Sequence, residues 1–153
     1  MVTSVLLSAG FYVSYIGTDP PAEIQECRTK IERIRVAMEQ FHGRYGRFPL
    51  QSEPVDHSYV ADQARLIGIL CGTDNNLQEN PEGIIFLEVR SKDKGDQGMI
   101  DPWGDLMNIV ADWSGDGRVS LGGKVLHRKL AIWSDGPDGK NESGSRMDDL
   151  TSW

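Results

Sequence analysis

Residues 19–48, DPPAEIQECRTKIERIRVAMEQFHGRYGRF, decide the fold. Ile24, Cys27, Ile31, Ile34, Met38 and Phe41 recur at alternating spacings of three and four, which sets them on one face of an α-helix. Arg28, Lys30, Arg33, Arg35 and Glu39 fall on the opposite face. Asp19 is a suitable N-cap, and Pro20 stands where a missing N–H costs nothing. Gly43 or Gly46 can take the left-handed conformation that ends a helix, and Pro49 forbids continuation. The pattern predicts an amphipathic helix over residues 19–45 that must bury one side against another layer.

A chain of 153 residues supports one domain with a moderate core. Its 39% hydrophobic and 25% charged residues are those of a folded, largely soluble protein. A net charge of −7 argues against nucleic acid, because phosphate binding needs a basic surface that releases counterions. Cys27 and Cys71 fit no metal or redox spacing. They are either a disulfide, worth roughly 4 kcal/mol through loop closure, or two buried thiols.

Outward from the seam toward the start, residues 1–17 carry no charged side chain and are mostly apolar. As a helix this run would be about 25 Å long, a little short of a bilayer core of roughly 30 Å. It has neither the basic flank nor the small-residue cleavage site of an ordinary secretory signal. Residues 1–18 are therefore expected to form a membrane anchor or filament-core helix, the plainer alternative being a buried segment of a soluble domain. Gly17-Thr18-Asp19-Pro20-Pro21 breaks or kinks the chain before the seam.

Beyond Pro49, the apolar positions Val60, Ala64, Ile67 and Leu70 predict a second, short helix closed by Gly72. Strands are expected at 84–89, 106–111, 118–121 and 125–133, with turns at Asp101-Pro102-Trp103-Gly104-Asp105, Gly115-Asp116-Gly117 and Gly122-Gly123. Helices first and an antiparallel meander of three to four strands afterwards, over about 84–133, is an α+β pattern. From Ser134 onward regular structure is expected to stop, leaving a loop over 134–153.

That loop concentrates Asp135, Asp138, Glu142, Asp148 and Asp149. Such carboxylates repel one another unless a cation lies among them. Ser134-Asp135-Gly136-Pro137-Asp138-Gly139 forms a sharp bend offering carbonyls and carboxylates, and Asp148-Asp149 can close a shell of the six to eight oxygens that calcium takes. A solvated acidic loop without an ion is the alternative. Asp112-Trp113-Ser114-Gly115-Asp116-Gly117 matches the first half of an EF-hand loop, but Gly123 stands where the bidentate Glu belongs. A hairpin turn is the better account of it. His42, His57 and His127 have no zinc spacing, and no nucleophile motif or selected carboxylate pair points to an enzyme. Trp103, Trp113, Trp133 and Trp153 sit at strand ends and turns, as core anchors rather than a sugar platform.

The order of motifs resembles the major pseudopilins of type II secretion and the wider type IV pilin-like family. Ile31-Glu32-Arg33-Ile34 through Phe41, then Tyr45-Gly46-Arg47-Phe48-Pro49, is similar to that family's helix and its Asn-Gly-Arg-Tyr-Pro close. Asp101-Pro102-Trp103-Gly104-Asp105 resembles its Asp-Pro-Trp-Gly-Asn. Ile132-Trp133-Ser134 through Gly139, with Asp148-Asp149-Leu150-Thr151-Ser152-Trp153, resembles its C-terminal motifs. The chain departs at the start: Gly10-Phe11 is present, but Tyr15 stands where the family has a glutamate, and the spacing from Pro20-Pro21 to Ile31 is short. This leaves either a divergent anchor or a chain whose first residue falls inside the family's helix.

The resemblance implies a pilin-like fold and a calcium ion in the C-terminal loop. By position, Asp138, Asp148 and Asp149 match the family's acidic ligands, and Asp135 falls where it supplies a main-chain carbonyl. It also implies a non-enzymatic subunit that forms a helical filament with copies of itself, with other pilin-like subunits and with assembly machinery. Before assembly such a subunit sits in a bacterial inner membrane, its globular part in the periplasm or outside the cell. A membrane-tethered monomer that binds a glycan or a protein is the rival expectation.

Overall fold

The computed structural model describes residues 20–73, 78–141, 143–144 and 149–153. The expected anchor over 1–18, the expected cap Asp19 and the candidate ligand Asp148 lie outside the described residues.

The seam forms helix α1, Ala22–Tyr45. It starts one residue after the proline pair, with Pro21 at the cap position and no side-chain cap, and ends at Gly46, whose φ of 71° is the left-handed conformation expected there. Cys27, Ile34, Ala37, Met38 and Phe41 are all 0% exposed. Helix α2, Gln63–Leu70, is shorter at its start than expected; Val60 precedes it and is exposed.

The chain order of strands is β1 (His57–Ser58), β2 (Lys94–Gly95), β3 (Gly98–Met99), β4 (Asn108–Ala111), β5 (Val119–Leu121), β6 (Lys124–Leu126), β7 (Leu130–Ser134) and β8 (Leu150–Thr151). One four-stranded antiparallel sheet runs β1-β4-β7-β8, and β2-β3 and β5-β6 are separate hairpins. The fold is α+β. Ile109, Ala111, Leu130 and Ile132 of the sheet join the α1 and α2 core, while Val110, Ala131 and Trp133 join Val119 and Leu121 of the β5-β6 hairpin. Successive residues thus serve opposite faces, and a sheet covered on both sides reads as an unbroken apolar run.

Several expected elements differ. Ile84–Val89 is extended but forms no ladder: the amides of Phe86 and Leu87 both donate to the Leu70 carbonyl, and the Asn80 side chain bonds both the N–H and the carbonyl of Ile84. The end of α2 and an amide side chain take the bonds a neighbouring strand would have made. The expected strand at 125–133 is two strands interrupted at 127–129. The tail is not wholly irregular, since Leu150 and Thr151 pair with Ser134 and Trp133. Among the described residues, no helix is long and apolar enough to cross a membrane.

Lys30, expected on the solvent face of α1, is 2% exposed. Its ammonium lies 3.0 Å from Asp93 and donates to the Ile100 carbonyl at 3.1 Å. Burial pushes the Asp93 carboxyl up, but the hydrogen bonds and charges of Arg90 and Lys30 outweigh it and hold the group below the usual range. This pair therefore stabilises the fold above the ordinary carboxylate pKa, and that stability is lost as pH falls through the lowered value. Lys30→Ala leaves a buried carboxylate with Arg90 alone, and urea denaturation is expected to register a loss of about 3 kcal/mol. Most of that loss should return in the apolar pair Lys30→Met with Asp93→Leu.

Candidate metal centre

The carboxylates expected to gather at the end of the chain are positioned by a buried aspartate that the motif reading treated only as part of a turn. Asp101 is 2% exposed. Its Oδ1 accepts the amides of Trp103 at 3.0 Å and Asp105 at 2.9 Å, closing the Asp-Pro-Trp-Gly-Asp turn. Its Oδ2 accepts the Ser134 hydroxyl at 2.6 Å, and that hydroxyl in turn accepts the Gly136 amide at 3.1 Å. One side chain thus ties the turn before β4 to the bend after β7. Asp105 is held beside that bend: a Cβ on Gly139 would meet its Oδ2 at 2.9 Å.

The β7-β8 register pairs Trp133 with Thr151 and Ser134 with Leu150. Asp135 and Asp149 are the residues just beyond the last pair of that ladder, one on each strand. Like charges facing each other across antiparallel strands are destabilising. Asp135 responds accordingly: burial, then the charge of Asp149, push its carboxyl up to about 6, with Asp105 adding to the rise and a hydrogen bond from Asn108 opposing it. That bond, Asn108 Nδ2 to Asp135 Oδ1, is 2.9 Å, and Asn108 Oδ1 accepts Asn141 Nδ2 at 3.0 Å.

Asp149 is 8% exposed. Asp138 is turned elsewhere: its Oδ1 accepts the Lys140 amide at 2.9 Å and its Oδ2 lies 3.9 Å from the Lys140 ammonium. Of the sequence-derived set, then, the structure brings together Asp135 and Asp149, and it adds Asp105 and Asn108, which sequence reasoning missed. The signal for Asp105 was its place four residues after Asp101, in the turn that Asp101 closes. Among the described residues, no three His, Cys, Asp or Glu side chains are grouped closely enough to hold an ion as they stand. The donor chemistry is nonetheless that of a hard cation: carboxylate oxygens beside amide groups, with one carboxylate raised by its own neighbours.

The other candidates resolve into structure. Asp112 is 4% exposed and saturated, accepting Ser114 Oγ at 2.8 Å and the amides of Gly115 at 2.6 Å and Gly117 at 2.7 Å. Burial raises its carboxyl, but these donors win and hold it below the usual range. Asp116 pairs with Arg118. The loop is not the hairpin turn expected, since β4 pairs with β1 and β7 while β5 pairs with β6. Cys27 and Cys71 are free thiols, and burial pushes Cys27 up to about 11. His57 stacks on Trp113 with ring centroids 3.8 Å apart, and its Nε2 lies 3.1 Å from Asp62.

Comparison of the chain with protein-family models, with curated proteins and with solved structures found no match.

A carboxyl raised above its unfolded value binds its proton more tightly in the folded state. The contribution of Asp135 to ion-free stability, read as the difference between the parent chain and Asp135→Asn, is therefore expected to fall as pH rises from about 4 to about 6, and to stay low above that. Asp135→Asn should remove this dependence and raise ion-free stability at neutral pH by about 1 kcal/mol. Thermal melts in chelator across pH check both.

Proposed function

We propose that the chain is a non-catalytic, pilin-like subunit of a helical filament, a pilus or a type II secretion pseudopilus, whose C-terminal loop is neutralised by calcium. The observation that carries this reading is that Asp135 and Asp149 flank the end of the β7-β8 ladder and repel one another, on a sheet packed against a long amphipathic helix. Four residues separate that helix from the uncharged run of residues 1–17, whose burial against neighbouring copies would contribute about 25 cal/mol per Å² before ordering costs. In this reading the run also anchors the subunit in a bacterial inner membrane before assembly, with the folded part in the periplasm. The partners are further copies, related subunits and the assembly machinery.

To hold the ion, Asp135, Asp149 and Asp105 would draw closer together than they stand. Asp138 and Asp148, taken from the resemblance, complete the proposed ligand set. Bound calcium supplies positive charge where like charges meet, and it stabilises only the folded form. Asp101 and Asn108 position the carboxylates without needing to touch the ion. To the rival reading, a tethered monomer that holds a glycan or a protein through its tryptophans and acidic loops, Trp113 and Trp133 offer little, each being 5% exposed, while Trp103 and Trp153 are half-buried.

Calcium at 100 times its dissociation constant is expected to stabilise the full chain by about 2.7 kcal/mol. Chelator should reverse that gain, and Asp135→Asn with Asp149→Asn should abolish it. The gain should also vanish as pH falls below about 6, where Asp135 takes up its proton. Negative-stain microscopy of the full chain with calcium should then reveal filaments; a calcium-insensitive monomer at every concentration would refute the reading.

A further inference from the structure

The C-terminal end of α1 and the start of β7 border an open groove of about 470 Å³, lined among others by Arg35, His42, Phe48, Arg128 and Lys129. Its floor is apolar, with Phe48 2% and Leu130 7% exposed. Among its lining residues the cations Arg35, Arg128 and Lys129 outnumber the one carboxylate, Glu39. Arg35 is consumed by Glu32 and Glu39, donating at 2.5 Å and 2.6 Å. Arg128 and Lys129 are both exposed, and among the described residues neither has a carboxylate at ion-pair distance. Arg128 spends one N–H on the Ser152 carbonyl at 3.3 Å, and its guanidinium lies 6.0 Å from the Trp153 ring. The half-buried His42 is held below its usual range by burial first and then by Lys129, with Asp112 opposing. On a chain of net charge −7, this is a basic slot with a greasy floor.

The complementary shape is on the same chain. Ser52-Glu53-Pro54-Val55 is an exposed loop in which Val55 is 55% exposed, and Glu53 has no cationic partner among the described residues. An anion two residues from a β-branched apolar side chain, on a backbone stiffened by proline, matches two cations beside an apolar floor.

We propose that this loop of one copy seats in the groove of the next, with Glu53 against Arg128 and Lys129 and Val55 over Phe48 and Leu130. The two surfaces differ, so the contact is heterologous and can repeat from copy to copy. A four-residue loop buries far less than the roughly 1,200 Å² of a stable interface. The contact therefore acts alongside other packing, which raises the effective concentration of loop and groove. It rests on the filament reading for its setting, but the contact itself can be tested apart from filaments.

The test mixes isotopically light and heavy full-length chains at high concentration and low salt, then adds a water-soluble carbodiimide, which joins only a touching carboxylate and amine. A Glu53–Lys129 cross-linked peptide of mixed isotope content is expected, reduced about tenfold in high salt, where exposed charges are screened. Lys129→Arg should abolish it by removing the amine. Lys129→Glu should abolish it too, by removing the amine and adding repulsion, and Glu53→Lys combined with Lys129→Glu should restore a mixed cross-link. A cross-link confined to single-isotope peptides, or none at all, overturns the proposal, including the case in which the groove takes some other acidic ligand. Filaments are scored separately by negative stain: filaments without the mixed peptide sink this contact and spare the filament reading, and the mixed peptide without filaments does the reverse.

Discussion

The packing of α1 on the inner face of the sheet is the contact on which everything else rests. Ile34, Ala37, Met38 and Phe41 meet Ile109, Leu130 and Ile132 in one core. The sheet that receives them is only four strands wide, and its outer strands are two residues long. Such a sheet has few ladder bonds of its own and depends on helix burial for independent stability. With β4 and β7 fixed against α1, the turn before one and the bend after the other have little freedom left. Asp101 can then bridge them, and the carboxylates beyond follow from that bridge.

Three buried or half-buried aspartates show how the same side chain is put to opposite uses. Asp93 is answered by two cations and Asp112 by a hydroxyl and amides, and both are held low. Asp135 is met by the side chains of Asn108 and Trp133 and by further carboxylates, and burial with those carboxylates holds it high. A carboxylate whose donors outweigh its burial is a finished structural part. One whose neighbours are mostly other anions stores unfavourable charge, and a small cation is the simplest thing that relieves it.

Much of this was legible from spacing alone. The seam of α1 and its end at Gly46 follow from period and from glycine's tolerance of positive φ, both local properties. What was not legible depends on partners far along the chain. Lys30 counts as a solvent residue until Asp93 meets it, and Ile84–Val89 counts as a strand until the end of α2 takes its hydrogen bonds. β1 and β8 are too short to carry a period-two pattern, and their places come only from register with β4 and β7. Asp105 was hidden for the same reason: its neighbour Gly139 lies across two loops.

The cluster around Lys30 also has a mechanical side. Glu26 meets Lys92 at 2.8 Å and Arg90 at 3.3 Å, beside the Lys30–Asp93 pair, all near the amino end of α1. Tension applied along the helix from that end loads these clasps together with the first residues of the seam, Ile24 and Cys27. The leading end of the domain is thus held by charge as well as by apolar contact.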